Sequence, residues 1–419
     1  MAELFRYQAE GVDFMRTRKR AFLWDTPGLG KTPQAIRAMD AYLGKRTGVV
    51  VIVCPASLVT NWQREIARWR CGLWSHVVVS YDKLVRGVEL PREITGVIAD
   101  EHHYCKSPGA KRTKATLELV ARAEVAYALS GTPMPNGPWE LFAVLRAFAP
   151  EVIKGKTGKL ANYGQFLDRW CVTVPNPWGH YPKPVGTKNG PELKARLAPF
   201  FVRRTKAQVL KDLPPLVENN LYVDVPPDGS AAVKKLETEI GGETLQAVLD
   251  GNLRAIAHEH IARLRRLTGT LKAGAVAKIV TDELEDGLEK IVVFAHHKDA
   301  LDILEGALRP FGIVRLDGST TPHNRQAAVD AFQVDDGIRV FLSQMTSGGV
   351  GITLTAASNI VFAEMDWVPA SVEQAKQRIH RIGQTESCLV RYAVLPGSLD
   401  EQMVAVLRRK MSAIGQVLS

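Results

Sequence analysis

Gly28, Gly30, Lys31 and Thr32 stand together in DTPGLGKTPQAI, residues 25–36. Two glycines let backbone N–H groups approach an anion closely. A lysine adds a mobile positive charge, and a threonine hydroxyl can join the shell of a Mg2+ ion. The full G-x-x-x-x-G-K-[ST] pattern fails, because Asp25 occupies the first glycine position. The stretch reads either as a nucleotide site or as a glycine-rich turn that precedes a helix.

VIADEHHYCKS (97–107) puts Asp100 and Glu101 after an apolar run. Adjacent carboxylates can divide the labour: Asp100 holds Mg2+ through water, and Glu101 orients or deprotonates an attacking water. His103 is placed to sense a γ-phosphate and to touch the next motif. The same residues, taken alone, are an exposed acidic turn. LSGTPMPN (129–136) offers Ser130 and Thr132, small hydroxyls that could relay nucleotide state, or a plain Ser-Gly-Thr-Pro turn. QAKQRIHRIGQ (374–384) carries Arg378 and Arg381 at i, i+3. On a helix they share one face and could stabilise charge on a transferring phosphoryl group. They equally fit a basic surface helix or a contact to a nucleic-acid backbone.

Such residues need rigid elements behind them. AFLWD (21–25), VVVIV (49–53), VIAD (97–100) and VAYALS (125–130) read as buried strands. A helix over 57–70 would set Leu58, Trp62, Ile66 and Trp69 on one face. KIVVFA (290–295), IVRLD (313–317), IRVFL (338–342), NIVFAE (359–364) and VRYAV (390–394) resume the pattern. Strands alternating with helices imply α/β lobes whose parallel sheets are covered on both faces. Residues 151–215 break the alternation with Lys, Gly and Pro, and 226–275 read as mostly helical.

The 419 residues allow two ordinary domains, and 46% hydrophobic content suits sizeable cores. No apolar run reaches the length of a membrane span. MAELFRYQAEGVDF has no apolar core of a signal peptide, so a cytoplasmic protein is expected. Five scattered cysteines without C-x-x-C argue against a zinc site or a disulfide framework. The net charge is +10, and residues 151–212 alone carry +8. That concentration fits a polyanionic partner or a solvated face.

In chain order, RYQAEGVDF, DTPGLGKT, CPASLVTNW, VSYDKL, ADEHH, LSGTP, LDGSTTPHNRQ, GGVGITLTAA and QAKQRIHRIGQ resemble the helicase motifs of the Swi/Snf family of superfamily-two DNA-dependent ATPases. RRTKAQVLKDLPP (203–215) resembles that family's link between lobes. FAHHKDALD (294–302) and VFAEMDW (361–367) look most like its annealing-helicase, HepA-related branch. The resemblance runs from residue 4 to about 411. It implies two RecA-like lobes with helical insertions: 1–222, with a basic insertion about 138–205, and 223–419, with a helical insertion about 226–275.

It also implies roles. Arg6, Gln8, Gly28, Leu29, Gly30, Lys31, Thr32 and Gly351 match ATP-binding positions, and Thr32 and Asp100 match magnesium positions. Lys31, Glu101, Arg378 and Arg381 match catalytic ones, the last two as arginine fingers. His103, Ser130, Thr132 and Gln374 match coupling positions. Pro55, Ser57, Ser80, Tyr81, Lys106, Gly318, Ser319, Arg325 and Trp367 match regions that track along DNA. Pro55 as a turn former, and Tyr81 and Trp367 as core residues, are further readings. The sequence departs from the family at Thr26, Pro27, His102 and Gln344. The expectation is a monomeric motor core from a bacterium or phage, without flanking modules, that uses ATP and Mg2+ to move along double-stranded DNA. A strand-separating DEAH-type helicase on DNA or RNA, and a DNA-binding scaffold that has lost hydrolysis, are the alternatives.

Overall fold

Uninterrupted β-branched runs suit strands buried on both faces, and the computed structural model builds two sheets from them. It describes residues 3–155, 158–176, 180–249, 259–345, 352–366 and 369–407. The chain divides into two compact units between Lys211 and Asp212.

The first unit contains β1 (Arg20–Leu23), β2 (Val49–Cys54), β3 (Ser75–Ser80), β4 (Gly96–Asp100), β5 (Val125–Leu129), β6 (Cys171–Val174), β7 (Lys183–Thr187) and β8 (Phe201–Val202). Six of them form a wholly parallel sheet in the order β3-β2-β4-β5-β1-β8. β6 and β7 form a separate antiparallel hairpin. Three helices bear on the site: α1 (Arg6–Arg16), α2 (Lys31–Leu43) and α3 (Val59–Trp69). α3 buries Trp62 and Ile66 fully, as its 3.6-residue spacing requires, while Trp69 is only half-buried.

The second unit contains β9 (Leu216–Tyr222), β10 (Ile291–Ala295), β11 (Ile313–Leu316), β12 (Val340–Gln344), β13 (Asn359–Phe362) and β14 (Cys388–Val394). Its sheet is again wholly parallel, in the order β11-β12-β10-β13-β14-β9. Helices Pro227–Ile240, Gly242–Leu249 and Glu259–Glu285 make up the expected helical stretch, the last running on past residue 275.

One expected boundary moves. The lobe border expected at 222/223 falls before β9, whose seven residues pair with β14 in the second sheet. LVENNLY is an edge strand with polar residues along it, so no apolar run announces it. The basic insertion, expected about 138–205, rejoins the first sheet at β8, where Phe201 and Val202 pair with Phe22 and Leu23. No helix among the described residues is long and apolar enough to cross a membrane.

Candidate active site

The phosphate loop leaves β1 and turns into α2. Gly28 and Gly30 both have positive φ, at 88° and 71°. A side chain at Gly30 would also collide, since its Cβ would sit 2.3 Å from Gln8 Nε2. Gln8 and Tyr7 reach over from α1 to donate to the carbonyl of Leu29, at 3.2 and 3.1 Å. Lys31 Nζ donates to the Asp25 carbonyl at 3.0 Å. Asp25 does not end the strand, as its place in the motif suggested. β1 stops at Leu23, and the fully buried Asp25 carboxylate anchors the loop. It accepts from Arg204 at 3.0 and 2.7 Å and from Gln34 Nε2 at 3.0 Å.

β4 delivers the carboxylates. Asp100 Oδ2 accepts from the indole N–H of Trp62 at 2.8 Å, and the Asp100 carbonyl accepts from the Tyr81 hydroxyl at 2.8 Å. Burial, and then the charge of Glu101, push the Asp100 carboxyl upward. Burial pushes Glu101 the same way, but His103, Lys31 and Ser130 outweigh it and hold that carboxyl low. The Ser130 hydroxyl donates to Glu101 Oε2 at 3.1 Å and accepts from Thr132 N–H at 3.1 Å. His103 Nδ1 lies 3.0 Å from Ser130 Oγ and 3.2 Å from Glu101 Oε2. His103 therefore does touch the next motif. The unusual His102 has a structural role: it is buried, and its Nε2 accepts from Trp24 Nε1 at 2.8 Å. Burial first, and then neighbouring His103, lower its pKa to about 3, so the ring is neutral.

Strand register explains why these groups meet. Leu129 pairs with both Leu23 and Asp100, so β1, β4 and β5 end level. The three loops emerge side by side at the carboxyl edge of the sheet, where open α/β folds bind ligands. The set fits a magnesium nucleotide. Left-handed glycines precede a helix N-terminus, a lysine lies across the loop, and Thr32 opens α2. The Thr26 and Thr132 hydroxyls are buried without a hydrogen-bond partner among the described residues. No cluster of three metal-ligating side chains occurs among those residues. Mg2+ in such sites takes one or two carboxylates and otherwise waters and phosphate oxygens. Arg6 is exposed and pairs with Glu10 at 3.3 Å.

In the second unit, Arg378 and Arg381 do not lie on a helix, contrary to expectation. Helix Pro369–Lys376, which carries Gln374, ends before them, and they sit in the turns that follow. They still converge: each directs Nη1 at the Ile352 carbonyl at 3.5 Å, and Arg381 Nη1 also donates to Thr353 Oγ1 at 2.8 Å. Gly351 lies outside the described residues. Gln344, a departure from the family, ties two loops together. Its Nε2 donates to the His296 carbonyl at 2.9 Å, and its Oε1 accepts from Gly318 N–H at 3.3 Å.

The expected DNA-tracking residues separate. Pro55 and Ser57 follow β2, Ser80 ends β3 and Lys106 follows β4, three adjacent strands. Ser57 is half-buried, and Lys106 is exposed and pairs with Glu140 at 3.3 Å. Pro55 is buried and opens a single helical turn, and Ser80 caps helix Tyr81–Arg86 by accepting from Lys83 N–H at 3.1 Å. Tyr81 is no surface group. It is 2% exposed, stacks on Tyr104 at 5.4 Å and supports Asp100 from behind. Gly318 and Ser319 are exposed after β11, and Arg325 is half-buried. Trp367 lies outside the described residues. Sequence reasoning missed Arg204, Gln34 and the Trp62 indole as partners of the site. Trp62 was visible only as a member of an apolar face.

Comparison with known proteins shows which family the chain resembles. The SNF2-related domain matches residues 7–83 and 73–239, and the Helicase conserved C-terminal domain matches 272–383. A SWI/SNF-related matrix-associated actin-dependent regulator of chromatin subfamily A-like protein 1 homolog of Caenorhabditis elegans is 32% identical over 99% of this chain and 62% of its own length. Human DNA annealing helicase and endonuclease ZRANB3 is 32% identical over 100% of this chain and 40% of its own. The chain thus spans about half the length of these relatives. The solved Sulfolobus solfataricus SWI2/SNF2 ATPase core in complex with dsDNA covers 100% of this chain and 93% of that one, at 24% identity and a TM-score of 0.45. With its two domain matches spanning both units, the chain belongs to the SNF2-related family of helicase-like ATPases.

Proposed function

We propose that this chain is an ATP-dependent translocase on double-stranded DNA. The observation that carries the reading is the Glu101–Ser130–His103 cluster beside Lys31 at the level ends of β4, β5 and β1. Gly28, Leu29, Gly30 and Lys31 would hold the phosphates of ATP, with Gln8 and Arg6 at the adenine. Thr32 and Asp100 would hold Mg2+, which neutralises charge on the phosphates when bound. Glu101 is kept ionised by His103 and Ser130, as a base that orients and accepts a proton from water must be. Ser130 then connects that base to the backbone of Thr132, a route from nucleotide state to the neighbouring loop. Arg378 and Arg381 would act as fingers on the phosphates, and Gln374 would couple the lobes.

The DNA track would run over Ser57, Ser80 and Lys106 in one lobe and Gly318, Ser319 and Arg325 in the other. Both C. elegans and human relatives bear names that speak of chromatin or DNA annealing, which supports a DNA substrate. The test is ATP turnover with duplex DNA, single-stranded DNA and RNA, followed by displacement of a third strand from a DNA triplex. Duplex-stimulated turnover with ATP-dependent triplex displacement is expected. Separation of a tailed duplex without triplex displacement would favour a DEAH-type helicase. DNA binding without turnover would favour a scaffold.

A further inference from the structure

The β6–β7 hairpin exposes apolar side chains that the nucleotide site does not use. Val172, Val174 and Val185 are 47%, 40% and 50% exposed. Strand alternation sets Val172 and Val174 on the face opposite Cys171 and Thr173. Register shifts between Val172 and Thr173, which leaves Val185 as the extra residue opposite them. The hairpin is seated firmly on its own lobe. Tyr181 packs edge-on against Tyr163 at 5.3 Å, and Tyr163 packs against Phe142 at 5.2 Å. Lys183, which pairs opposite Val174, and Lys188, just past the end of β7, are exposed. Residues 169–191 contain no Asp or Glu at all.

We propose that this hairpin is a docking surface for the open end of a DNA duplex, where paired strands give way to single strands. The proposal rests on the reading of DNA as the substrate. Lysines with no carboxylate among them select a polyanion over an ordinary protein surface. The exposed valines then decide which part of the polyanion is met. The walls of an intact duplex present phosphates, against which an aliphatic side chain gains little. The large apolar surface of DNA is the face of its base pairs, which is accessible where stacking ends; apolar wedges in DNA-binding proteins work on that surface. The valines pack on the last base pair, and Lys183 and Lys188 take the phosphates of the parting strands. From β7 the chain continues through helix Gly190–Leu197 to β8 and then to Arg204, so the hairpin is tied covalently to the phosphate-loop anchor.

The test compares binding of the full chain to a forked duplex and to a covalently closed circular duplex, which has no end. Val172→Ser with Val185→Ser should weaken fork binding about tenfold and leave circle binding within about twofold. Val172→Leu with Val185→Leu should keep fork binding. Lys183→Gln should weaken fork binding and flatten its salt dependence. Circle-stimulated ATP turnover should be unchanged in the serine and leucine variants, because neither touches the nucleotide site. Unchanged fork binding in the serine variant, or equal losses on fork and circle, would overturn the proposal and leave the face to another partner. Failure of closed circles to stimulate the unaltered chain would instead count against translocation, while the fork comparison would still decide the hairpin.

Discussion

Arg204 donates to both carboxylate oxygens of Asp25, at 3.0 and 2.7 Å, although 179 positions separate the two residues. The segment that leaves the first lobe is thereby fastened to the phosphate loop near its start. Arg204→Gln would leave a carboxylate buried without its cation, a loss of about 3–5 kcal/mol. Thermal unfolding should show a lower midpoint, and MgATP should bind more weakly. Arg204→Lys should fall between, because an ammonium restores charge but not the two-pronged geometry. A glutamine variant as stable as the parent would mean that Gln34 and the loop backbone suffice to hold Asp25.

Glu101→Gln should keep nucleotide affinity and lose about 10²–10⁴-fold in turnover, because the amide cannot accept a proton. Lys31→Ala should weaken nucleotide binding as well. Single-turnover hydrolysis beside equilibrium binding separates the two effects. Turnover near the parent value in Glu101→Gln would remove Glu101 from its role.

Arg378→Ala or Arg381→Ala should slow hydrolysis about 10³-fold or more if the guanidinium acts on the transition state. Nucleotide affinity should change far less, and DNA affinity little. Loss of DNA binding with single-turnover hydrolysis intact would make these arginines backbone contacts.

Within the basic insertion, the structure narrows which charges are available to DNA. Arg196 donates to the Val152 and Lys154 carbonyls and pairs with Glu192, so it is a structural group. Neutralising the exposed Lys159, Lys183 and Lys188 should flatten the salt dependence of duplex binding by about 0.9 per lost phosphate contact. An unchanged slope would return these lysines to solvent.

The second lobe should lose stability in acid through Glu364. Burial raises that carboxyl, but His297 and the backbone N–H groups of His297 and His296 outweigh burial and hold it below the usual glutamate range. The contacts are short: 2.6 Å to His297 Nδ1 and 2.8 Å to each N–H. A carboxyl depressed in the folded state stabilises fully above its unfolded value, about 4.3, and the contribution fades as pH falls through the folded value. Glu364→Gln should therefore be less stable than the parent at neutral pH, by about 1–3 kcal/mol, with the gap closing below pH ~4. Denaturant titrations at several pH values check this, and a pH-independent gap would count against it.

Much of this was legible beforehand, for physical reasons. All nine runs read as strands contain strands, and most are unbroken apolar sequences, as a strand buried on both faces needs. The motif loops follow strands whose ends the sheet brings level. Three features were not legible. β9 is an edge strand whose polar residues carry no periodic signal. The Asp25–Arg204 pair depends on β8, two residues long, lying beside β1. The hairpin sits in a Pro- and Gly-rich stretch where alternation is too short to register. FAHHKDALD and VFAEMDW looked like separate marks of one branch; in the fold they meet, His296 and His297 closing on Glu364. Gly269 makes room for that contact, since a Cβ there would lie 1.9 Å from Glu364 Oε1.

Glu101 is held at φ 50°, a left-handed backbone that a glutamate enters at a cost of order 1–3 kcal/mol. Glycine or asparagine would sit there more comfortably. Heat selection and activity selection therefore pull this position in opposite directions. A library screened only for thermal survival would drift towards those residues at 101 and yield hardy proteins that no longer turn over ATP. The reverse also holds: the chain can carry an awkward glutamate only while the surrounding sheet has stability to spare, so weakening mutations elsewhere in β4 and β5 should be tolerated better once position 101 has been relaxed.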